Sequence, residues 1–294
     1  LHYSKNNLNF ATLNLKFLEM KTFKLFTIIA AMVTLLSCGH KKAQKVLVLY
    51  YSQTGNTEIV ANEIAQRLHA DVERIEAVNP YDGDFRQTIE RCMREREEGV
   101  LPDIQPVKSD ISNYDVVFIG YPVWFGTYAP PVITYLNNTD LGGKIIVPFC
   151  TFGSGGLESS VADLRMAQPN AEILEGYGVR AARMDAVPHE IDQFLKANGF
   201  IKGEYIKLDE FSDQHPVTEE ESAIFDAAVG DYPMMKNVKA ATVATRAIAG
   251  GTEYLFVAAD KPRDPKPDMP PAGELKVYVT VANGEAPVFT KVVR

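Results

Sequence analysis

Hydrophobic positions along this chain follow two alternating periods as far as about residue 201, and a different order beyond it. Val46-Leu47-Val48-Leu49-Tyr50-Tyr51 is an unbroken apolar run, the pattern of a strand covered on both faces of a parallel sheet. After a polar loop at 52–57, Ile59, Val60, Ile64, Ala65 and Leu68 recur at helical spacing and predict a helix with one buried face. The pattern then predicts a strand at 72–78, a charged amphipathic helix at 84–98 and a buried strand at 116–120. A short helix follows at 130–136, with proline tolerated in its first turn. A fourth strand at 145–149, a helix at 157–166, a fifth strand at 173–179 and a closing helix at 190–197 complete the series. Such alternation predicts an α/β fold, a five-stranded doubly wound parallel sheet over 45–201.

Beyond that point one helix is expected at 219–229, then extended runs at 240–248, 253–259, 275–281 and 288–293. Gly250-Gly251 and Asn283-Gly284 mark hairpin turns, and 261–271 is a proline-rich loop. A helix followed by a four-stranded antiparallel meander predicts a separate α+β domain at 202–294.

The first forty residues read as an address. Lys21 and Lys24 follow Met20, and 25–36 is an uncharged apolar core. That core fits the roughly 7–15 residues of a secretory signal and is short of the ~20 needed to span a bilayer. Its ending, Leu35-Leu36-Ser37-Cys38, resembles the lipobox of bacterial lipoproteins. The resemblance implies a signal peptide at 20–37, cleaved before Cys38, and lipidation of the Cys38 thiol. The chain would then sit in the cell envelope, anchored by lipid on the periplasmic or outer face. An uncleaved hydrophobic anchor, or a buried helix with an incidental cysteine, is the alternative. Residues 1–19 read as an upstream extension translated in error, and 38–44, with Lys41 and Lys42, as a basic tether.

Composition narrows the function. An apolar fraction of 46% and a charged fraction of 23% are those of a globular protein. The net charge of −8 argues against a nucleic-acid partner, which needs a basic face. Cys38, Cys92 and Cys150 are too scattered for a disulfide framework or a zinc site, and the five histidines do not cluster, so no metal is expected.

In open parallel sheets, ligands sit beyond the carboxyl ends of the strands. The loop after the first strand, Ser52-Gln53-Thr54-Gly55-Asn56-Thr57, crowds hydroxyls and amides around a glycine at a helix start. Backbone N–H groups and the helix dipole can hold a phosphate there without a basic side chain. No lysine follows the glycine, so a P-loop nucleotidase is excluded, and a plain helix cap is the bland alternative. The loop after the third strand, Pro122-Val123-Trp124-Phe125-Gly126, carries the only tryptophan, whose face suits a planar ring or simply covers the sheet edge. The loop after the fourth strand, Thr151-Phe152-Gly153-Ser154-Gly155-Gly156, lets backbone approach a planar ligand closely, or is a flexible turn. Cys150 beside it, with no His–Asp pair to activate it, reads as a buried strand residue, and no catalytic residue is assigned.

These three loops carry a resemblance. S-Q-T-G-N-T resembles the phosphate loop of flavodoxins, and G-Y-P-V-W-F-G with F-C-T-F-G-S-G-G resembles a flavodoxin-like family of anaerobic bacteria. The likeness implies FMN as cofactor, its phosphate on Ser52, Thr54, Asn56 and Thr57. Pro122 to Phe125 would flank the isoalloxazine, and 151–156 would close its far side. The tyrosine that many flavodoxins stack on the outer ring face has no clear counterpart; either Phe152 substitutes or that face is open. The implied function is electron transfer with an unidentified redox partner protein or small acceptor. An FMN-dependent NAD(P)H:quinone or nitro-compound reductase is the alternative. The second domain is similar to cystatins in its helix and first hairpin. However, Ala247-Ile248-Ala249-Gly250-Gly251 lacks the glutamine and second valine of their inhibitory motif. A non-enzymatic binding module or protease inhibitor working through this domain is a third reading.

Overall fold

The computed structural model describes residues 44–230, 232–236, 238–259 and 273–294. The leader, Cys38, the tether up to residue 43 and the proline-rich loop expected at 261–271 lie outside the described residues. Lys45–Arg294 form one compact unit.

Its first part is built on β1 (Val46–Tyr50), β2 (Asp71–Arg74), β3 (Val116–Trp124), β4 (Thr127–Tyr128), β5 (Ile145–Phe152), β6 (Glu172–Ile173) and β7 (Tyr177–Arg180). The parallel order is β2-β1-β3-β5, with β6 and β7 both pairing β5 as one interrupted fifth strand. Five helices cover it: α1 (Asn56–Leu68), α2 (Phe85–Glu98), α3 (Pro130–Asn138), α4 (Leu157–Ala167) and α5 (Val187–Ala197). Both faces of the sheet are buried, which is why its strands read as continuous apolar runs. Val48, Phe118, Val147 and Phe149 pack with Val60 and Ile64 of α1 and Ile191 and Leu195 of α5. Leu47, Leu49, Val117 and Ile119 face the other way, in one cluster with Cys92 of α2, Val132 of α3 and Leu164 of α4.

Local departures from the expected elements have physical causes. Ile59 is 49% exposed, because Thr57, Val60, Ala61 and Ile64 complete the helical stripe without it. The second strand stops at Arg74 rather than 78, since β2 is an edge strand and the chain leaves it for an antiparallel bridge between Ala77 and Ile104. The fifth strand breaks opposite Pro148, which has no N–H to donate. There residues 174–176 face only 147–148, and a Cβ on Gly176 would stand 2.6 Å from the Pro148 carbonyl oxygen. The third strand runs on to Trp124 and turns back into β4, a hairpin that the sequence pattern did not reveal.

The second part has its own core. It comprises β8 (His215–Pro216), α6 (Glu219–Val229), β9 (Ala240–Ile248), β10 (Gly251–Ala259), β11 (Glu274–Ala282) and β12 (Val288–Val293). The sheet is antiparallel in the order β12-β11-β10-β9-β8, the expected meander extended by the two-residue β8, too short to show a period. Phe225 and Val229 of α6 pack on Val243, Phe256, Val277, Val279 and Phe289. The first hairpin turns on Ala249-Gly250, with Gly250 at φ +76° and Gly251 already paired to Ile248, so the turn lies one residue earlier than expected. Among the described residues no helix is long and apolar enough to cross a membrane.

Candidate functional site

The loop after β1 leads into α1 through Gly55, at φ +92° and ψ −18°, with no side chain capping the helix. The first-turn N–H groups of an α-helix have no intrahelical partner and carry the positive end of the helix dipole. Where a Gly55 Cβ would point, there is open space. The surface helices differ: α2 and α6 begin with complete capping boxes, from Asp84 with Gln87 and from Thr218 with Glu221. The hydroxyl of Ser52 is turned inward, accepting from the Gly55 N–H at 3.1 Å. Arg74 Nη2 donates to the Ser52 carbonyl at 2.6 Å, and Arg74 lies 3.5 Å from Glu58 in the first turn of α1. Gln53 is tied elsewhere, its amide donating to the Tyr81 carbonyl at 3.0 Å and to Thr88 Oγ1 at 2.7 Å. Thr54 is exposed, Asn56 half-buried and Thr57 buried.

At the carboxyl end of β3, Pro122 and Val123 are half-buried, and beyond Trp124 the chain reverses through Phe125 (φ +52°) and Gly126 (φ +84°). Positive φ at both central residues is the two-residue turn that matches strand twist. A phenylalanine held there is strained, as residues at ligand sites often are. Trp124 meets Tyr51 and Tyr81 edge-on, at centroid distances of 5.9 and 5.2 Å, so part of its ring is packed into the core. Phe125 is 50% exposed, with the Arg96 guanidinium 5.3 Å from its ring centroid.

After β5 the backbone passes through exposed Gly153 and half-buried Ser154, Gly155 and Gly156. Gly156 caps α4 at φ +113°, again with no side-chain cap. The three loops are joined to one another. Thr57 and Thr151 share a buried hydroxyl hydrogen bond of 2.9 Å. A Cβ on Gly156 would meet Val123 Cγ1 at 2.6 Å, and Ser159 Oγ donates to the Gly126 carbonyl at 2.5 Å. Phe152 is buried in the core, which corrects one expectation: its ring cannot replace an outer stacking tyrosine. The result is a polar, glycine-lined edge with two uncapped helix starts, suited to an anionic group joined to a planar ring.

The flavodoxin family model matches residues 45–191, half of the chain. This chain belongs to the flavodoxin family. Among solved structures, a flavoprotein described as putative from Bacteroides eggerthii is 30% identical, covering 51% of this chain and 96% of that one at a TM-score of 0.44. A flavoprotein from Lactobacillus acidophilus, solved in complex with FMN, is 26% identical over 47% of this chain and 93% of that one, at a TM-score of 0.41. Curated relatives named NAD(P)H dehydrogenase (quinone) are 28% identical in Azorhizobium caulinodans and 29% identical in Gluconacetobacter diazotrophicus. Each match covers 40% of this chain and 62% of the relative, so the chain spans less than two thirds of their length.

The flavodoxin domain thus brings residues 52–57, 122–126 and 151–156 to one edge, with Gln53 and Phe152 serving as supports. Sequence reasoning missed Arg74 and Ser159, single polar residues on a strand and a helix that no motif flags. A cavity of about 380 Å³ lies on the β1–β2 side of the phosphate loop, lined by Ser52, Gln53, Arg74 and Tyr81 among others and by no residue of 122–126 or 151–156. Cys150 is fully buried and burial pushes its thiol well above its ordinary range. Burial, with the Glu95 charge, takes Cys92 up to about 11. Neither thiol is a nucleophile in the folded state.

Proposed function

We propose that the flavodoxin domain binds one FMN and serves as an electron carrier. The observation that carries this reading is the uncapped start of α1 beneath the Ser52–Thr57 loop, inside the family match. The Thr54 and Asn56 side chains and the first N–H groups of α1 would hold the phosphate by neutral donors. Residues 122–126 and 151–156 would line the isoalloxazine, with Trp124 and Val123 excluding water. Bound FMN supplies the redox chemistry, taking up and releasing electrons at its ring. The chain's part is to orient the flavin and keep its surroundings apolar. The test is a flavin titration followed by absorption, with NADH added separately. FMN binding without rapid NADH oxidation supports a carrier, and a protein that stays colourless in excess FMN refutes the proposal.

A reductase is the second reading, favoured by the relatives named NAD(P)H dehydrogenase (quinone). It requires direct bleaching of the flavin by NADH or NADPH and turnover with a quinone.

The lipid anchor belongs to the same proposal, on the strength of the Leu-Leu-Ser-Cys sequence ending at Cys38. Membrane-bound protein with an unmodified Cys38, found by mass spectrometry, would refute it. The C-terminal domain is proposed to be cystatin-like, since a helix precedes and packs on an antiparallel meander. Its first hairpin carries alanines at 247 and 249, so no inhibition of papain-like proteases at nanomolar concentration is expected.

A further inference from the structure

Three successive residues of the glycine-rich loop after β5 are held on their outer side, by Arg180 of the flavodoxin domain and by the C-terminal domain. Arg180, at the end of β7, donates from Nε to the Gly153 carbonyl at 2.9 Å and from Nη1 to the Phe289 carbonyl at 2.7 Å. Its guanidinium lies 4.1 Å from the Phe289 ring centroid and 5.4 Å from that of Tyr232. The Tyr232 hydroxyl stands 3.6 Å from where a Gly153 Cβ would be. The next residue, Ser154, accepts the Val292 N–H of β12 at 2.7 Å. Gly155 lies so close to the Val292 carbonyl oxygen that a Cβ has no room. At the rim, Lys291 Nζ reaches Glu158 Oε1, in the first turn of α4, at 2.7 Å.

We propose that the C-terminal domain is a working part of the cofactor site, with Arg180 and β12 clamping residues 153–155 in the shape that receives the flavin. This rests on the FMN reading above. A Gly-Ser-Gly-Gly loop loses much conformational entropy when it is ordered. Ordering it in advance, through contacts on its outer side, removes that cost from ligand binding. Coupling of this kind is reciprocal: if docking tightens flavin binding, flavin tightens docking by the same factor. Arg180 is therefore a positioning residue, acting on the flavin through Gly153.

The test uses the full chain and its Arg180→Ala, Arg180→Lys and Lys291→Ala variants. FMN and riboflavin affinities are measured by fluorescence quenching, with visible circular dichroism of the bound flavin and hydrogen exchange at 152–156 and 288–293. Arg180→Ala should weaken FMN and riboflavin alike, by about 10-fold, within the span usual for coupled sites. Its flavin dichroism should change, and Arg180→Lys should restore part of the loss. FMN should slow exchange at 288–293 in the wild type but not in Arg180→Ala. Lys291→Ala, which leaves both cores intact, should shift both affinities in the same direction by less, and it stands as the test if Arg180→Ala does not fold. Wild-type affinities and dichroism in the variants, with FMN leaving 288–293 unaffected, would overturn the clamp alone. A wild type that binds neither flavin would overturn this inference together with the FMN reading.

Discussion

Gly156→Ala is the sharpest probe of how the β3 and β5 loops fit together. The residue has φ +113° and ψ 8°, a conformation that L side chains rarely adopt. Holding alanine there costs about 1–2 kcal/mol. The new methyl would also stand 2.6 Å from Val123 Cγ1. Comfortable carbon–carbon contact is about 3.5–4.0 Å, so Val123 must yield by roughly 1 Å. Turning its χ1 off the rotamer adds about 0.5–1.5 kcal/mol. Together the variant should lose about 2–3 kcal/mol, which lowers the melting temperature by roughly 5–10 °C in a unit of this size. Because Val123 lies at the carboxyl end of β3, within the candidate site, FMN and riboflavin should both bind more weakly. Gly143→Ala is the control: its φ is +76°, a Cβ there meets nothing within 4 Å, and it precedes β5 at the opposite edge of the sheet. It should lose about 1–2 kcal/mol of stability with no effect on flavin. Thermal unfolding by circular dichroism and a flavin titration of each variant check this. If Gly156→Ala matches wild type in both, or if Gly143→Ala weakens flavin equally, the packing argument is wrong.

Thr57→Val strands the buried Thr151 hydroxyl and should cost about 1–2 kcal/mol, with the double variant Thr57→Val/Thr151→Val losing less than the sum of the two singles in denaturant unfolding. Cys150 should resist a thiol reagent in the native protein at mildly alkaline pH and react only after unfolding, as a labelling time course followed by mass spectrometry will show. Burial opposes the Glu221 charge, but hydrogen bonds from the Thr218 N–H and hydroxyl and from His215 outweigh it and hold the carboxyl below its ordinary value of 4.5. The stability this adds should therefore be present above that value and lost as pH falls through the lowered one; Glu221→Gln should flatten that part of an acid-unfolding curve.

Much of the architecture was legible because buried strands and helices carry period. The run at 46–51 and the stripe through Val60 and Ile64 have few alternative readings, and α6 and β9 begin and end where their patterns do. What stayed hidden has no period. The β3–β4 hairpin turns on Phe125, a residue that propensity would not place at positive φ. The interruption of the fifth strand depends on a missing N–H in its neighbour, Pro148, which only the register reveals. Arg180 and Phe289 are 109 positions apart in the chain and meet only because two cores dock. At the candidate site, residue types and their loops were readable, but their orientations were not. Nothing in the sequence distinguishes Thr54, which is exposed, from Thr57, which is buried against Thr151.

The treatment of helix starts separates stability from function in this chain. At α2 and α6 side chains close the box and satisfy the first-turn donors, whereas α3 and α5 start without a side-chain cap. Replacing such a cap by alanine typically costs about 1 kcal/mol, and by glycine a few tenths, so a start without a side-chain cap has a small price in stability. At α3 the omission is mild, since Pro130 and Pro131 carry no N–H to satisfy. At α1 and α4 the caps are glycines at φ +92° and +113°, both beyond the carboxyl ends of the central strands. Two uncapped starts joined through Thr57 and Thr151 make sense if a ligand completes them, its phosphate at α1 and its ring edge at the loop leading into α4. On that view the glycines at 55 and 156 are binding residues by what they leave open, which side-chain inventories overlook.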